Sequence, residues 1–230
     1  MIYKISIERR KNRDEKPYVE TYEYEARTDA DTVVSALSAI NEGLEDKIAW
    51  DCSCLQKKCG ACAMIINGKP GLACDAKLAK VGGKTGTISL CPLRKFPLVK
   101  DLLVDRSILF NNLLTIRNWA EEEAFASEKK NDVLYEASRC LQCGCCLEVC
   151  PNFYAGGTFF GMASAVPVPR LLEELPKDEQ KRLRLDYSKH FYNGCGKSLA
   201  CRDICPAQID IEKLLVNSNA ITLWKHLFKK

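Results

Sequence analysis

The chain has 230 residues, a hydrophobic content of 47%, a charged content of 28% and a formal charge of +4. These are the proportions of an ordinary soluble globular protein of one large or two small domains, and no stretch approaches the ~20 apolar residues of a membrane span. Met1 to Arg13 lacks the apolar core of a secretory signal, and a chain this long is not a small disulfide scaffold, so the fourteen cysteines are expected to be reduced, in a cytoplasmic compartment.

The elements follow in chain order. Tyr3, Ile5 and Ile7 alternate with polar residues, as do Tyr22, Tyr24 and Ala26. Two strands are predicted, joined by the charged turn Arg9 to Lys16. Asp31-Thr32 is a helix start, with Val33, Val34, Leu37 and Ile40 at helical spacing before Asn41-Glu42-Gly43 ends it. Met64 to Ile66 forms a strand running into an Asn67-Gly68 turn, and Thr85 to Leu90 another after Gly82-Gly83. Beyond Asp105 the strand signal disappears. Helix is predicted over Ser107 to Lys129, Val168 to Leu175 and Ile211 to Phe228. The domain boundary falls near 105, giving domains 1–105 and 106–230.

The cysteines sort into three groups. Cys54-x4-Cys59-x2-Cys62, followed by Cys74, has the plant-type spacing for a [2Fe–2S] cluster. Gly60 lets the loop turn toward the cluster and present N–H donors to it. Zinc would need a second C-x2-C pair or nearby histidines, and the segment has neither. Cys140-x2-Cys143-x2-Cys146-x3-Cys150-Pro151 is the bacterial ferredoxin run, whose fourth cysteine reaches across to the other cluster. Cys195-x5-Cys201-x3-Cys205-Pro206 is its partner, with Ser198 where the middle cysteine would stand. The crossing rule therefore assigns Cys140, Cys143, Cys146 and Cys205 to a [4Fe–4S] cluster. Cys150, Cys195 and Cys201 remain, three thiolates for a [3Fe–4S] cluster. Ser198 is a poor substitute ligand, because hydroxyls deprotonate far less readily than thiols. Cys52, Cys91 and Cys145 have no place in the spacings and read as packed, non-ligating thiols.

Three clusters with their thiolates, each contributing a charge of roughly −2, would bring the loaded chain to about −2. The mild basicity is thus no argument for nucleic acid, and no nucleic-acid partner is expected. Substrate chemistry on this chain is not expected either. His190 and His226, the two histidines, have no neighbouring nucleophile or acid–base pair in the sequence. Gly83-Lys84-Thr85 mimics the end of a phosphate-binding loop, but Leu78 stands where that motif requires glycine.

In its order of motifs the chain resembles the iron–sulfur subunit of succinate dehydrogenase and fumarate reductase. The residues that carry this are WDCSCLQKKCGACAMIINGKPGLAC from Trp50 to Cys74, FPLVKDLLVD from Phe96 to Asp105, CLQCGCCLEVCP, and CGKSLACRDICP with its non-cysteine at 198. The resemblance implies an α+β chain: an N-terminal β-grasp plant-type 2Fe-2S ferredoxin domain, then an all-α bacterial-type ferredoxin domain. It implies an electron wire of the tricarboxylic acid cycle or of fumarate respiration. A flavoprotein subunit would hold FAD next to the [2Fe–2S] cluster. The [4Fe–4S] cluster would lie in the middle, and the [3Fe–4S] cluster beside quinone at a membrane-anchor subunit. The chain would then sit on the inner face of the cell membrane through its partners. A soluble complex drawing electrons from a thiol or another cytoplasmic donor is the second reading, and a zinc-stabilised interaction module a third.

Departures from the family pattern bear on two ends of the wire. Leu55 replaces an arginine usual after the first ligand. Ala61 replaces a frequent serine, whose lost hydroxyl would tend to lower the first cluster's potential. Asn152-Phe153-Tyr154 and Gly196 stand where many relatives place tryptophan and histidine near quinone. The basic, amphipathic tail Leu223 to Lys230 reads as a helix packed on its own domain with solvated lysines, rather than a lipid contact.

Overall fold

The computed structural model describes residues 1–117, 132–220 and 222. It divides into two compact units, Met1–Arg106 and Ser107–Lys230.

The first unit is built on alternation. Strand β1 (Ile2–Arg9) buries Tyr3, Ile5, Ile7 and Arg9, while the residues between them stay more exposed. It pairs antiparallel with β2 (Tyr18–Glu25). Helix α1 (Val33–Glu42) starts at Thr32, where a capping box ties Thr32 and Ser35 to each other's backbone N–H groups. Its apolar stripe, Val33, Val34, Ala36 and Leu37, is buried. β3 (Ala63–Ile66) and β4 (Lys69–Leu72) form a hairpin across Asn67 and Gly68. Both turn residues have positive φ, 49° and 78°, the combination that a two-residue hairpin of the right twist requires. After the short helix α2 (Leu78–Val81), strand β5 (Thr87–Cys91) joins β1 in parallel and β3 antiparallel. It begins two residues later than its alternation predicts, because Gly86 still lies in the left-handed region. The mixed sheet has the order β2-β1-β5-β3-β4, and with α1 this is a β-grasp unit. A second, two-stranded sheet of β6 (Leu98–Lys100) and β7 (Leu103–Val104) was not apparent from the sequence.

Buried charge fastens β1 to the segment that leads into the cysteine loop. Asp101, 1% exposed, accepts from Arg9 Nε at 3.0 Å, from the Arg10 N–H at 2.9 Å and from the Ala49 N–H at 3.0 Å. The Arg9 guanidinium also donates to Glu20 at 2.7 Å and to Tyr22 Oη at 3.0 Å. Burial opposes the charge on Arg9, yet the hydrogen bond and charge of Asp101 outweigh it and hold the guanidinium protonated.

Among its described residues the second unit contains helices and loops and no strand. The helices are α3 (Ser107–Thr115), α4 (Asp132–Ser138), α5 (Cys145–Glu148), α6 (Met162–Ala165), α7 (Val168–Glu174), α8 (Lys177–Tyr187), α9 (Ala200–Asp203) and α10 (Ile211–Asn219). A π-helical turn, Ser188–Tyr192, continues α8. One core unites Leu171, Leu183, Tyr187, Phe191 and Leu214, with several cysteines packed against it. The sequence predicts one helix from Ser107 to Lys129, but α3 ends at Thr115, and Arg117 turns left-handed at φ 45°. The rest of that prediction lies outside the described residues, as do the end of the predicted Ile211 to Phe228 helix and the basic tail Leu223 to Lys230. Among the described residues no helix is long and apolar enough to cross a membrane.

Candidate iron–sulfur centres

Cys54, Cys59 and Cys62 occupy the loop between α1 and β3, and Cys74 follows β4. Leu55, Lys57 and Gly60 in that loop all have positive φ, at 56°, 59° and 73°. For leucine and lysine this conformation costs about 1–2 kcal/mol each, and it turns successive N–H groups inward. The Gln56 and Lys58 N–H groups donate to Cys54 Sγ, both at 3.3 Å. The Cys54 and Ala61 N–H groups reach Cys59 Sγ, the Cys74 N–H reaches Cys62 Sγ, and the Lys57 N–H reaches Cys74 Sγ at 3.3 Å. All four sulfurs of the predicted set thus accept backbone hydrogen bonds. Such donors favour thiolate over thiol, and those from Gln56 and Lys58 bring Cys54 down to about 7. Cys62, at the buried end of the loop, is pushed up to about 12 by burial. A row of N–H groups aimed at four sulfurs suits anionic ligands sharing electron density with iron.

Arg106 braces this loop from outside. Its guanidinium donates to the carbonyls of Gly60 at 2.7 Å and Ala61 at 2.8 Å, and pairs with Asp51 at 2.9 Å. Sequence reasoning missed this residue, because its contacts span more than forty positions. Cys52, expected to be packed, is instead exposed on the loop, and its thiol is pushed up by partial burial and by the Asp51 carboxylate. Burial likewise pushes the Cys91 thiol up.

In the second unit the cysteines divide between two cavities. Cys140, Cys143, Cys146 and Cys205 line one, closed by Ala163, Val166 and Ile209. Cys150, Cys195 and Cys201 line the other, a space of about 280 Å³ that also meets Ser198 and Tyr187. Cys146 and Met162 face both. Among the described residues no three His, Cys, Asp or Glu side chains converge on a position for a single metal ion.

The walls of these cavities are apolar, so the thiols resist ionisation. Burial pushes Cys140 and Cys201 up to about 11, and Cys146 well above its ordinary value. Iron must therefore displace protons as it binds. Gln142, left-handed at φ 49°, donates from Nε2 to Cys140 Sγ at 3.3 Å and to the Ala163 carbonyl at 2.8 Å. Cys145 is fully buried, and contact with Cys143 together with burial holds it as a thiol. His190 is a core residue: its Nδ1 lies 2.7 Å from the Thr158 carbonyl and its ring stacks on Phe160. His226 lies outside the described residues.

Known families match both units. A 2Fe-2S iron–sulfur cluster binding domain matches residues 4–111, and a 4Fe-4S dicluster domain residues 136–209. The succinate dehydrogenase iron–sulfur subunit of Bacillus subtilis is 32% identical, over 94% of this chain and 90% of its own. The fumarate reductase iron–sulfur subunit of Wolinella succinogenes is also 32% identical, over 86% of each chain. A chain of the Mycobacterium smegmatis Sdh1 complex has the same fold, with a TM-score of 0.82 over 98% of this chain and 97% of that one, at 21% identity. The α+β architecture expected from the motifs is thereby established, a β-grasp 2Fe-2S ferredoxin domain followed by an α-helical 4Fe-4S ferredoxin domain. With two sequence relatives aligned over nearly their full length, the chain belongs to the family of iron–sulfur subunits of succinate dehydrogenase and fumarate reductase, an oxidoreductase family of electron-transfer proteins.

Proposed function

We propose that this chain passes single electrons between FAD in a flavoprotein subunit and quinone at a membrane-anchor subunit, held to the inner face of the cell membrane by those partners. Cys54, Cys59, Cys62 and Cys74 would hold a [2Fe–2S] cluster. Cys140, Cys143, Cys146 and Cys205 would hold a [4Fe–4S] cluster, and Cys150, Cys195 and Cys201 a [3Fe–4S] cluster. Bound there, the clusters supply one-electron redox chemistry at potentials set by charge, hydrogen bonds to sulfur and exposure.

The observation that carries this reading is that Cys140, Cys143 and Cys205 line one cavity and Cys150, Cys195 and Cys201 the other, with Cys146 on the wall between them and Ser198 on the wall of the second. The chain's own contribution is positional. Backbone N–H groups and Gln142 Nε2 aim at sulfur, and apolar walls exclude water. The first site belongs to the first of the two domains, expected as 1–105 and 106–230, and the other two to the second.

The test is a redox titration of the purified complex followed by electron paramagnetic resonance. One signal from the oxidised state and two more on stepwise reduction are expected. A Ser198→Cys variant should lose the oxidised-state signal as a fourth iron enters. A wild-type complex without that signal would overturn the three-iron assignment. A complex that lacks a hydrophobic anchor and accepts electrons from thiols would overturn the quinone assignment.

A further inference from the structure

Arg106 does more than brace a loop. The Gly60 carbonyl that accepts from its Nη1 at 2.7 Å belongs to the same peptide group as the Ala61 N–H, which donates to Cys59 Sγ at 3.5 Å. In a trans peptide the carbonyl and the N–H point in opposite directions, and no peptide bond here is cis. A cation therefore sits on the negative end of one amide dipole, with a sulfur of the first group at its positive end.

We infer that Arg106 sets the reduction potential of the first cluster through the Gly60–Ala61 peptide. This rests on the reading that Cys59 is an iron ligand. Hydrogen-bonded groups in series polarise one another, by about 10–30% per bond. The guanidinium draws electron density onto the Gly60 oxygen and makes the Ala61 N–H a stronger donor. That donor then stabilises the extra negative charge that reduction places on sulfur, so the potential rises. Arg106 is 14% exposed at its side chain and Asp51 49%. The Asp51 carboxylate is thus largely solvated, and it orients the fork more than it cancels its charge. Guanidinium does not deprotonate in proteins, so the effect is constant with pH. Arg106 is a positioning residue: it touches the loop backbone, and it acts on the cluster through that backbone.

The experiment is a redox titration of the [2Fe–2S] signal in the complex carrying Arg106→Met, Arg106→Gln or Arg106→Lys. Both neutral variants should show about a twofold lower ratio of reduced to oxidised cluster at the wild-type midpoint, the effect of weakening one hydrogen bond to a charged sulfur by about 10–30%. Arg106→Lys should recover part of that loss, and the two other clusters should titrate as in wild type. Arg106→Gln keeps amide donors for the carbonyls, so it can be read even if the methionine variant fails to fold. A neutral variant that retains the cluster and titrates like wild type overturns the inference. Loss of the signal from both neutral variants overturns it too, because Arg106 would then be a brace alone. A wild-type complex with no [2Fe–2S] signal would instead sink the ligand assignment on which the inference rests.

Discussion

Replacing Asp101 should unfasten the first unit and release its cluster, leaving the second unit's clusters in place. Asp101 is 1% exposed and accepts three hydrogen bonds, from Arg9 Nε, the Arg10 N–H and the Ala49 N–H. In Asp101→Ala the Arg9 guanidinium, 3% exposed, keeps only Glu20 and Asp46 as ionic partners, at 40% and 56% exposure. Leaving a buried charge without its buried partner costs about 3–5 kcal/mol. Asp101 also sits at φ 48°, a conformation that aspartate and asparagine tolerate better than alanine, which adds about 1 kcal/mol for alanine. Asp101→Asn keeps that backbone and a carbonyl acceptor, and should lose less. With a urea dependence of roughly 1–3 kcal/mol per molar for a unit of this size, the alanine midpoint should fall by about 2 M. The assay is a urea titration followed by visible circular dichroism of the [2Fe–2S] cluster. The Ala49 contact enters the cysteine loop directly, so cluster loss and unfolding should coincide. Equal midpoints for wild type, Asp101→Asn and Asp101→Ala would refute the argument.

Three further outcomes are expected. In the cluster-free protein, burial holds the Cys140 thiol at about 11, above the ordinary 9.0. A raised thiol pKa gives stability that is whole below the ordinary value and lost as pH rises through the folded one. About 2–3 kcal/mol should therefore disappear between pH 9 and 11. The iron-loaded protein, whose thiolates carry no proton, should show no such loss, and far-ultraviolet circular dichroism against pH would reveal a common slope if this is wrong. Cys54, held near 7 by the Gln56 and Lys58 N–H groups, should be the first thiol alkylated in the cluster-free chain at neutral pH, with Cys140 among the last. Peptide mapping that finds the two labelled alike would count against the donor geometry. Gln142→Leu removes a direct donor to Cys140 Sγ and should lower the potential of the [4Fe–4S] cluster alone. It should also cost about 1 kcal/mol through the lost Ala163 bond, and an unmoved potential would deny Gln142 a tuning role.

Cysteine spacing was readable because cluster ligation is local in sequence: a loop such as Cys54 to Cys62 must wrap a group of fixed size. Strand β1 and helix α1 were readable for similar reasons. Alternation of Tyr3, Ile5 and Ile7 and the helix start at Asp31-Thr32 are short-range signals. What stayed hidden depends on distant partners. Arg9 meets Asp101 across ninety-two positions, and Arg106 meets Gly60 across forty-six. Leu55 and Lys57 carry no mark of left-handed backbone, since leucine and lysine rarely adopt it. Only the inward hydrogen bonds to sulfur make that conformation worth its cost. The break of α3 at Arg117 is hidden for the same reason. A helical composition continues there, and the backbone turns regardless.

The exchange of Cys150 and Cys205 between the two cavities has a topological consequence under the proposed ligand sets. Each cluster would join a segment near the start of the second unit to one near its end, closing a long loop of chain as a cross-link does. Cross-links over long loops act chiefly by shrinking the unfolded ensemble. Two of them laced in opposite directions would reinforce each other, because opening either one frees an end that the other needs held. The helical unit should therefore gain and lose its two cofactors together, as a single latch with two tongues.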